Sequence, residues 1–274
     1  MKIANQRIAI TGAAGGIGAA LCHRFADAGA RLLLVGRNPV ALAELTLALK
    51  QTAPESCVAS LVLDITEPEA PARLRDEAQA RLGGLDILVN NAALPCFGAL
   101  SDMPLDEIER LVATNLTAPM RLTRAVLPDL LALKQGGIVN IGSTFGAIGF
   151  PWFAAYSATK FGLRGFSEAL RRELAGQGVD VLYAAPRATR TAINDDRVTA
   201  MRAATGMTFD DPDFVAKRIV TAMKRGAAEC AIGGPERFFA RLNGLLPRLI
   251  DLSLAAQTRA MAPFATSSQS TTET

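Results

Sequence analysis

The sequence predicts a doubly wound α/β domain on a parallel seven-stranded sheet, followed by an amphipathic helical extension. Three observations carry that expectation. Seven short β-rich runs alternate with helical stretches up to about residue 234. Several of those runs are continuously apolar, such as Leu32-Leu33-Leu34-Val35, as suits strands covered on both faces. A cluster of glycines closes the first run and opens a long helix.

The strand candidates in order are Arg7–Thr11, Arg31–Val35, Val58–Leu63, Asp86–Asn90, Gly137–Ile141, Asp180–Ala184 and Glu229–Ile232. Between them Ala, Leu, Arg and Glu recur at three-to-four-residue spacing, as from Leu163 to Leu174, which is the helical period. Strands that alternate with helices pair in parallel through right-handed crossovers. After Gly233 the pattern changes: residues 238, 239, 242, 245, 246, 249 and 250 form one apolar stripe, with Arg237, Arg241 and Arg248 beside it and Pro247 expected to kink it. Residues 266–274 are rich in Ser and Thr and are expected to be disordered. The chain therefore divides into a domain over 1–234, an extension over 235–265 and a tail over 266–274.

Half of the residues are hydrophobic and a fifth are charged, so a large core can form. The net charge of +3 is small and no basic block stands out, which argues against a nucleic-acid partner. Four scattered cysteines with no CxxC pair read as free thiols in a reducing compartment, and the expected location is cytoplasmic. A single histidine, His23 in a helical pattern, leaves no imidazole metal site and no Ser-His-Asp triad elsewhere. No run of 18 apolar residues is present, so no membrane-spanning helix is expected.

Thr11-Gly12-Ala13-Ala14-Gly15-Gly16-Ile17-Gly18 joins the first strand to the first helix. Gly12, Gly16 and Gly18 would make the turn, admit a close phosphate and let helix pack on strand, with the helix N-terminus facing a pyrophosphate. Within a βαβ unit this is a dinucleotide site, and Ile17 falls inside it. An acid at the end of the second strand would bond the ribose 2′-OH of NAD. Gly36 stands there instead, followed by Arg37, whose guanidinium could clamp a 2′-phosphate, so NADP is the expected cofactor.

Ser143 follows the fifth strand, Tyr156 comes thirteen residues later and Lys160 four after that. The i, i+4 spacing puts Tyr156 and Lys160 on one helix face, where the ammonium is expected to lower the phenol's pKa. Such a tyrosine can give a proton to a forming alkoxide or take one from an alcohol, while a serine hydroxyl orients the substrate oxygen.

Together these motifs resemble the short-chain dehydrogenase/reductase family over roughly residues 5–234. The resemblance implies a single Rossmann-like domain, hydride transfer between a nicotinamide and a carbonyl or alcohol, and a homodimer or homotetramer. It implies that Asp64 binds the adenine ring and that Asn90-Asn91-Ala92 supports the central strand against the cofactor. It also implies that Asn115 holds a water in the proton path to Lys160, that Thr191 touches the nicotinamide carboxamide, and that Tyr156 and Lys160 are cofactor contacts as well as catalytic groups. Three departures stand out: Ala93 and Arg187 replace usual glycines, and Gly15 sits where many NADP-using members carry a basic residue.

The apolar segment Phe145–Phe153 precedes Tyr156, and the resemblance places it along the substrate cleft. That points to a hydrophobic ketone, an acyl thioester or a steroid-like ring, although the same residues could pack the core or a dimer. The alternative to an enzyme is a non-catalytic NADP-binding sensor or scaffold, against which the retained Tyr156, Lys160, Ser143 and Asn115 argue. For the extension three sinks are open. Packing on the domain or a dimer partner is favoured over a lid on the cleft, and a bilayer surface comes last.

Overall fold

In the computed structural model, which describes residues 1–52, 58–190, 196–205, 208–234 and 236–266, seven parallel strands form one sheet in the order β3-β2-β1-β4-β5-β6-β7. The strands are β1 Arg7–Thr11, β2 Arg31–Gly36, β3 Val58–Val62, β4 Ile87–Asn90, β5 Gly137–Ile141, β6 Asp180–Pro186 and β7 Glu229–Ile232. All seven predicted strands are present, with ends differing by one or two residues. β6 runs on to Pro186 because it pairs with β7 as far as Ile232.

Among the described residues ten α-helices connect and flank the strands: α1 Gly16–Asp27, α2 Pro39–Lys50, α3 Ala70–Leu82, α4 Leu105–Val112, α5 Ala118–Leu133, α6 Ala154–Glu173, α7 Asp196–Thr205, α8 Pro212–Lys224, α9 Glu236–Leu245 and α10 Pro247–Ala265. Local chemistry sets several starts. Asn38 caps α2 by accepting the Val40 and Ala41 N–H groups at 3.0 and 3.2 Å, with Pro39 in the first turn. Asp211 caps α8 in the same way ahead of Pro212.

The apolar runs are explained by burial on both sides of the sheet. Ile8, Ile10, Leu32 and Leu34 face one layer with α1, α2 and α8; Ala9, Leu33 and Val35 face the other with α3, α5 and α6. The order reverses between β1 and β4, and there the crevice of a doubly wound sheet opens at the strands' C-terminal ends.

One polar group is taken into this frame. Asp86, just before β4, accepts the Arg7 backbone N–H at 2.8 Å and the Arg7 guanidinium at 2.9 and 2.5 Å. Burial pushes the Asp86 pKa up, but the bonds and charge of Arg7 outweigh it and hold the carboxyl below its ordinary value. A depressed carboxylate stabilises the fold above its unfolded pKa, near ~4, and that contribution fades as pH falls through the lower folded value. Asp86→Asn should cost about 2–3 kcal/mol at pH 7, discounted because Arg7 remains a fifth exposed. Urea unfolding should show that difference shrinking between pH ~4 and ~2; a gap that is constant with pH would contradict this role.

The extension departs from its expected form. It is two helices broken at Leu246, not one kinked helix, because Pro247 has no N–H to continue the ladder and takes the first turn of α10. The expected stripe is split accordingly. Ile250 is buried, together with Met261 and Ala265 farther along α10, while Leu245, Leu246 and Leu249 face out. α10 packs on its own chain, with Met261 and Ala265 clustered against Phe97, Val198 and Met201. Two hydrogen bonds pin it, from Trp152 Nε1 to the Thr258 carbonyl and from the Ala99 N–H to the Ala265 carbonyl, each 3.0 Å. Among the described residues no helix is long and apolar enough to cross a membrane.

Candidate active site

The turn after β1 is built so that nothing fills it. Gly12 has φ +63°, and a Cβ there would lie 2.9 Å from the Ala92 Cα. A Cβ on Gly18 would stand 2.2 Å from the Gly12 carbonyl oxygen. Asn91 spends its amide on the turn, donating to the Thr11 and Gly12 carbonyls at 3.0 Å each. The Thr11 hydroxyl accepts the N–H groups of Asn91 and Ala92 at 3.0 and 3.1 Å, tying β4 to the turn. No side chain caps α1, so its first-turn N–H groups are left for another acceptor. Gly12, Gly16 and Ile17 line the cavity here, and this donor set fits a pyrophosphate.

At the end of β2, Gly36 and Arg37 border the same cavity. The Arg37 side chain is 66% exposed and its Nη1 lies 3.7 Å from Asp64 Oδ2. Burial pushes Asp64 up, but the Thr66 N–H and hydroxyl, at 2.9 and 2.7 Å, act with Arg37 to hold its carboxyl below the usual range. Both expected adenine-end residues are therefore adjacent and charged.

Ser143 leaves β5 as an extended residue; Tyr156 and Lys160 lie one turn apart on α6. Ser143 and Tyr156 line the same cavity, and the Ser143 side chain acts to lower the phenol's pKa. Lys160 is 2% exposed; its Nζ donates to the Ile141 carbonyl at 3.1 Å and lies 5.6 Å from the Tyr156 ring centre. Here the expected pKa is corrected. Burial pushes the Tyr156 phenol up to about 12, with Ser143 offsetting part of the rise, and pushes Lys160 down to about 8. Desolvation wins because the ammonium sits over the ring and is itself buried.

Asn115 falls in a π turn, Ala113–Thr117, inserted between α4 and α5. Such turns release a backbone group from the helical ladder and mark functional sites. The Asn115 side chain accepts the Leu94 N–H at 2.7 Å and donates to the Leu94 carbonyl at 3.0 Å and the Thr159 hydroxyl at 3.4 Å. It thus links the strand-end segment Asn90–Leu94 to the helix turn that carries Lys160.

Several supporting residues had no sequence signal. Tyr183 on β6 accepts the Ser143 N–H at 3.4 Å and donates to the Ser143 carbonyl at 3.2 Å. Asn140 accepts from Asn90 and donates to Ser167, each at 2.8 Å, which stitches β4, β5 and α6 together. Arg187, the cation in a glycine position, is not a loose charge: Asp210 takes it in a two-point bridge at 2.9 and 2.7 Å. Each of these partners lies more than twenty residues away in sequence, so only the fold brings them together. Thr191, expected at the nicotinamide, lies outside the described residues.

The cavity, about 580 Å³, runs from the glycine turn past Ser143, Tyr156 and Lys160 into an apolar chamber. Phe97, Phe145, Phe153, Val198, Met201 and Phe209 line that chamber. Phe145 stacks on Phe150 at 4.6 Å and meets Phe153 at 5.0 Å, and both Phe145 and Phe153 stand edge-on to Tyr156. The α10 helix backs this wall through Met261 and Ala265.

Comparison with known proteins agrees with this geometry. Residues 6–202 match the family model described as short chain dehydrogenase. The chain is 32% identical over 270 residues to dehydrogenase/reductase SDR family member 7B of Bos taurus, covering 94% of this chain and 82% of that protein. It is 32% identical over 204 residues to the 3-oxoacyl-[acyl-carrier-protein] reductase FabG of Vibrio cholerae, covering 73% and 82%. Among solved structures, the bulky-bulky ketone specific alcohol dehydrogenase of Comamonas testosteroni superposes with a TM-score of 0.74 at 28% identity, over 92% of each chain. With a glycine turn that takes a dinucleotide and a serine, tyrosine and lysine at its far end, the chain belongs to the short-chain dehydrogenase/reductase family and is an NAD(P)-dependent oxidoreductase.

Proposed function

We propose that this protein reduces bulky apolar carbonyl compounds with NADPH, and that Tyr156 is the proton donor. The observation that carries the reading is that Ser143, Tyr156 and Lys160 line one cavity between the dinucleotide turn and the aromatic chamber. When bound, the nicotinamide supplies the hydride. Tyr156, with its pKa raised, is proton-loaded at neutral pH, which is the form that can donate to an alkoxide forming at the carbonyl oxygen. Ser143 donates a second hydrogen bond to that oxygen. Lys160, buried and pinned to Ile141, keeps a positive charge beneath the phenol, and Asn115 holds the turn that carries it.

Gly12, Gly16, Ile17 and Gly18 take the pyrophosphate, Asp64 the adenine and Arg37 the 2′-phosphate, with Asn91 bracing the turn. Thr191 completes the nicotinamide end in this reading. The chamber's six apolar side chains favour a ring-bearing or branched ketone, in keeping with the bulky-bulky ketone specificity of the Comamonas neighbour. NADPH oxidation assayed with aryl ketones, cyclic ketones and small polar ketones tests this. Turnover should rise with apolar bulk; a preference for small polar carbonyls would overturn the substrate class.

A further inference from the structure

The elbow between α9 and α10 leaves four leucines in solvent: Leu245 is 79% exposed, Leu246 51%, Leu249 50% and Leu252 75%. Elsewhere among the described residues no stretch of eight holds more than two large exposed apolar side chains, so four within residues 245–252 set this cluster apart. Its own fold does not claim it, because α10 already buries Ile250, Met261 and Ala265 inward. The break at Leu246 puts Leu245 and Leu246 at the point of the elbow.

Together the four expose roughly 450 Å² of leucine surface, within the range of patches that serve a function. That is well short of the ~800 Å² per partner that a standard protein interface buries. A small, protruding, leucine-rich point suits shallow insertion between lipids instead. Charge agrees: residues 236–265 carry Arg237, Arg241, Arg248 and Arg259 against Glu236 and Asp251 only. Within the leucine cluster Arg248 and Asp251 are both exposed, and Arg259 is exposed two turns farther along α10. α9 is tied to the segment ahead of α6, where Asn243 donates to the Ala147 carbonyl at 3.0 Å.

We infer that this elbow docks the protein on an anionic lipid bilayer, with Leu245, Leu246, Leu249 and Leu252 entering the headgroup–acyl boundary and the exposed Arg248 and Arg259 meeting lipid phosphates. The inference does not depend on the reaction proposed above, and its test reads no turnover. The full chain is sedimented with vesicles of phosphatidylcholine alone or with about a third phosphatidylserine. Binding should be about tenfold tighter to the anionic vesicles at low salt and should weaken as salt is added. Leu249→Asp with Leu252→Asp should reduce that binding by about tenfold or more, at an unchanged Tm. These side chains are exposed, so the variant is expected to fold. Absence of binding to either vesicle, or binding that the double variant leaves intact, overturns the inference. So does concentration-dependent self-association that the variant abolishes without any vesicle binding, which would make the elbow a contact between two copies.

Discussion

Tyr156→Phe should lower the turnover of an apolar ketone by ~10²–10⁴-fold, the range for loss of one positioned general acid. The ring survives the substitution and keeps its edge-on placement against Phe145 and Phe153, so the chamber should not collapse. What disappears is the phenol hydroxyl, in the cavity that Ser143 also lines. NADPH affinity should change only a few-fold, as loss of one neutral hydrogen bond of ~1 kcal/mol allows. The pH profile adds a second readout. With the phenol pushed up to about 12 and the Lys160 ammonium down to about 8, the lysine is the first of the pair to lose its proton as pH rises. Wild-type kcat/KM for reduction should therefore decline above pH ~8. Near-wild-type turnover by the phenylalanine variant would remove Tyr156 from the chemistry.

Gly36→Asp should turn the enzyme from NADPH toward NADH. The atoms nearest a Cβ at Gly36 would be Leu42 side-chain carbons, at 3.5–3.6 Å, an ordinary contact distance that permits the change. The new carboxylate would face the 2′-phosphate beside Arg37. Two like charges ~4 Å apart repel by about 4 kcal/mol at an effective dielectric of ~20, and exposure of this corner should reduce that to about half. The NADPH-to-NADH ratio of kcat/KM should then fall by roughly 30-fold or more. A wild-type enzyme that already prefers NADH by about tenfold would show that Arg37 does not select the phosphate.

The sheet was legible because its strands are apolar on both faces, and runs such as Leu32–Val35 admit few other readings. The turn at Gly12–Gly18 and the Tyr156–Lys160 spacing were legible for the same reason: they are local patterns, written within one or two helical turns. What escaped is non-local. Nothing in the sequence pairs Arg187 with Asp210, Asn115 with Leu94, or Tyr183 with Ser143, because each partner arrives from a different element. The phenol's pKa was misjudged because spacing shows that an ammonium is near but not that both groups are dry. The extension's stripe was misjudged because helical periodicity cannot say where Pro247 restarts the helix, and that restart decides which leucines turn outward.

The central claim is that this site transfers hydride, not merely that it holds a dinucleotide. NADPH labelled with deuterium at the transferring position of its nicotinamide, incubated with the protein and an apolar aryl ketone, tests this directly. The account predicts deuterium on the carbinol carbon of the product, in one stereochemical sense, and none when Tyr156 is Phe beyond the residual rate. Saturable NADPH binding with no deuterium delivered to any carbonyl of the panel would contradict it and leave a nucleotide-binding protein that senses or scaffolds.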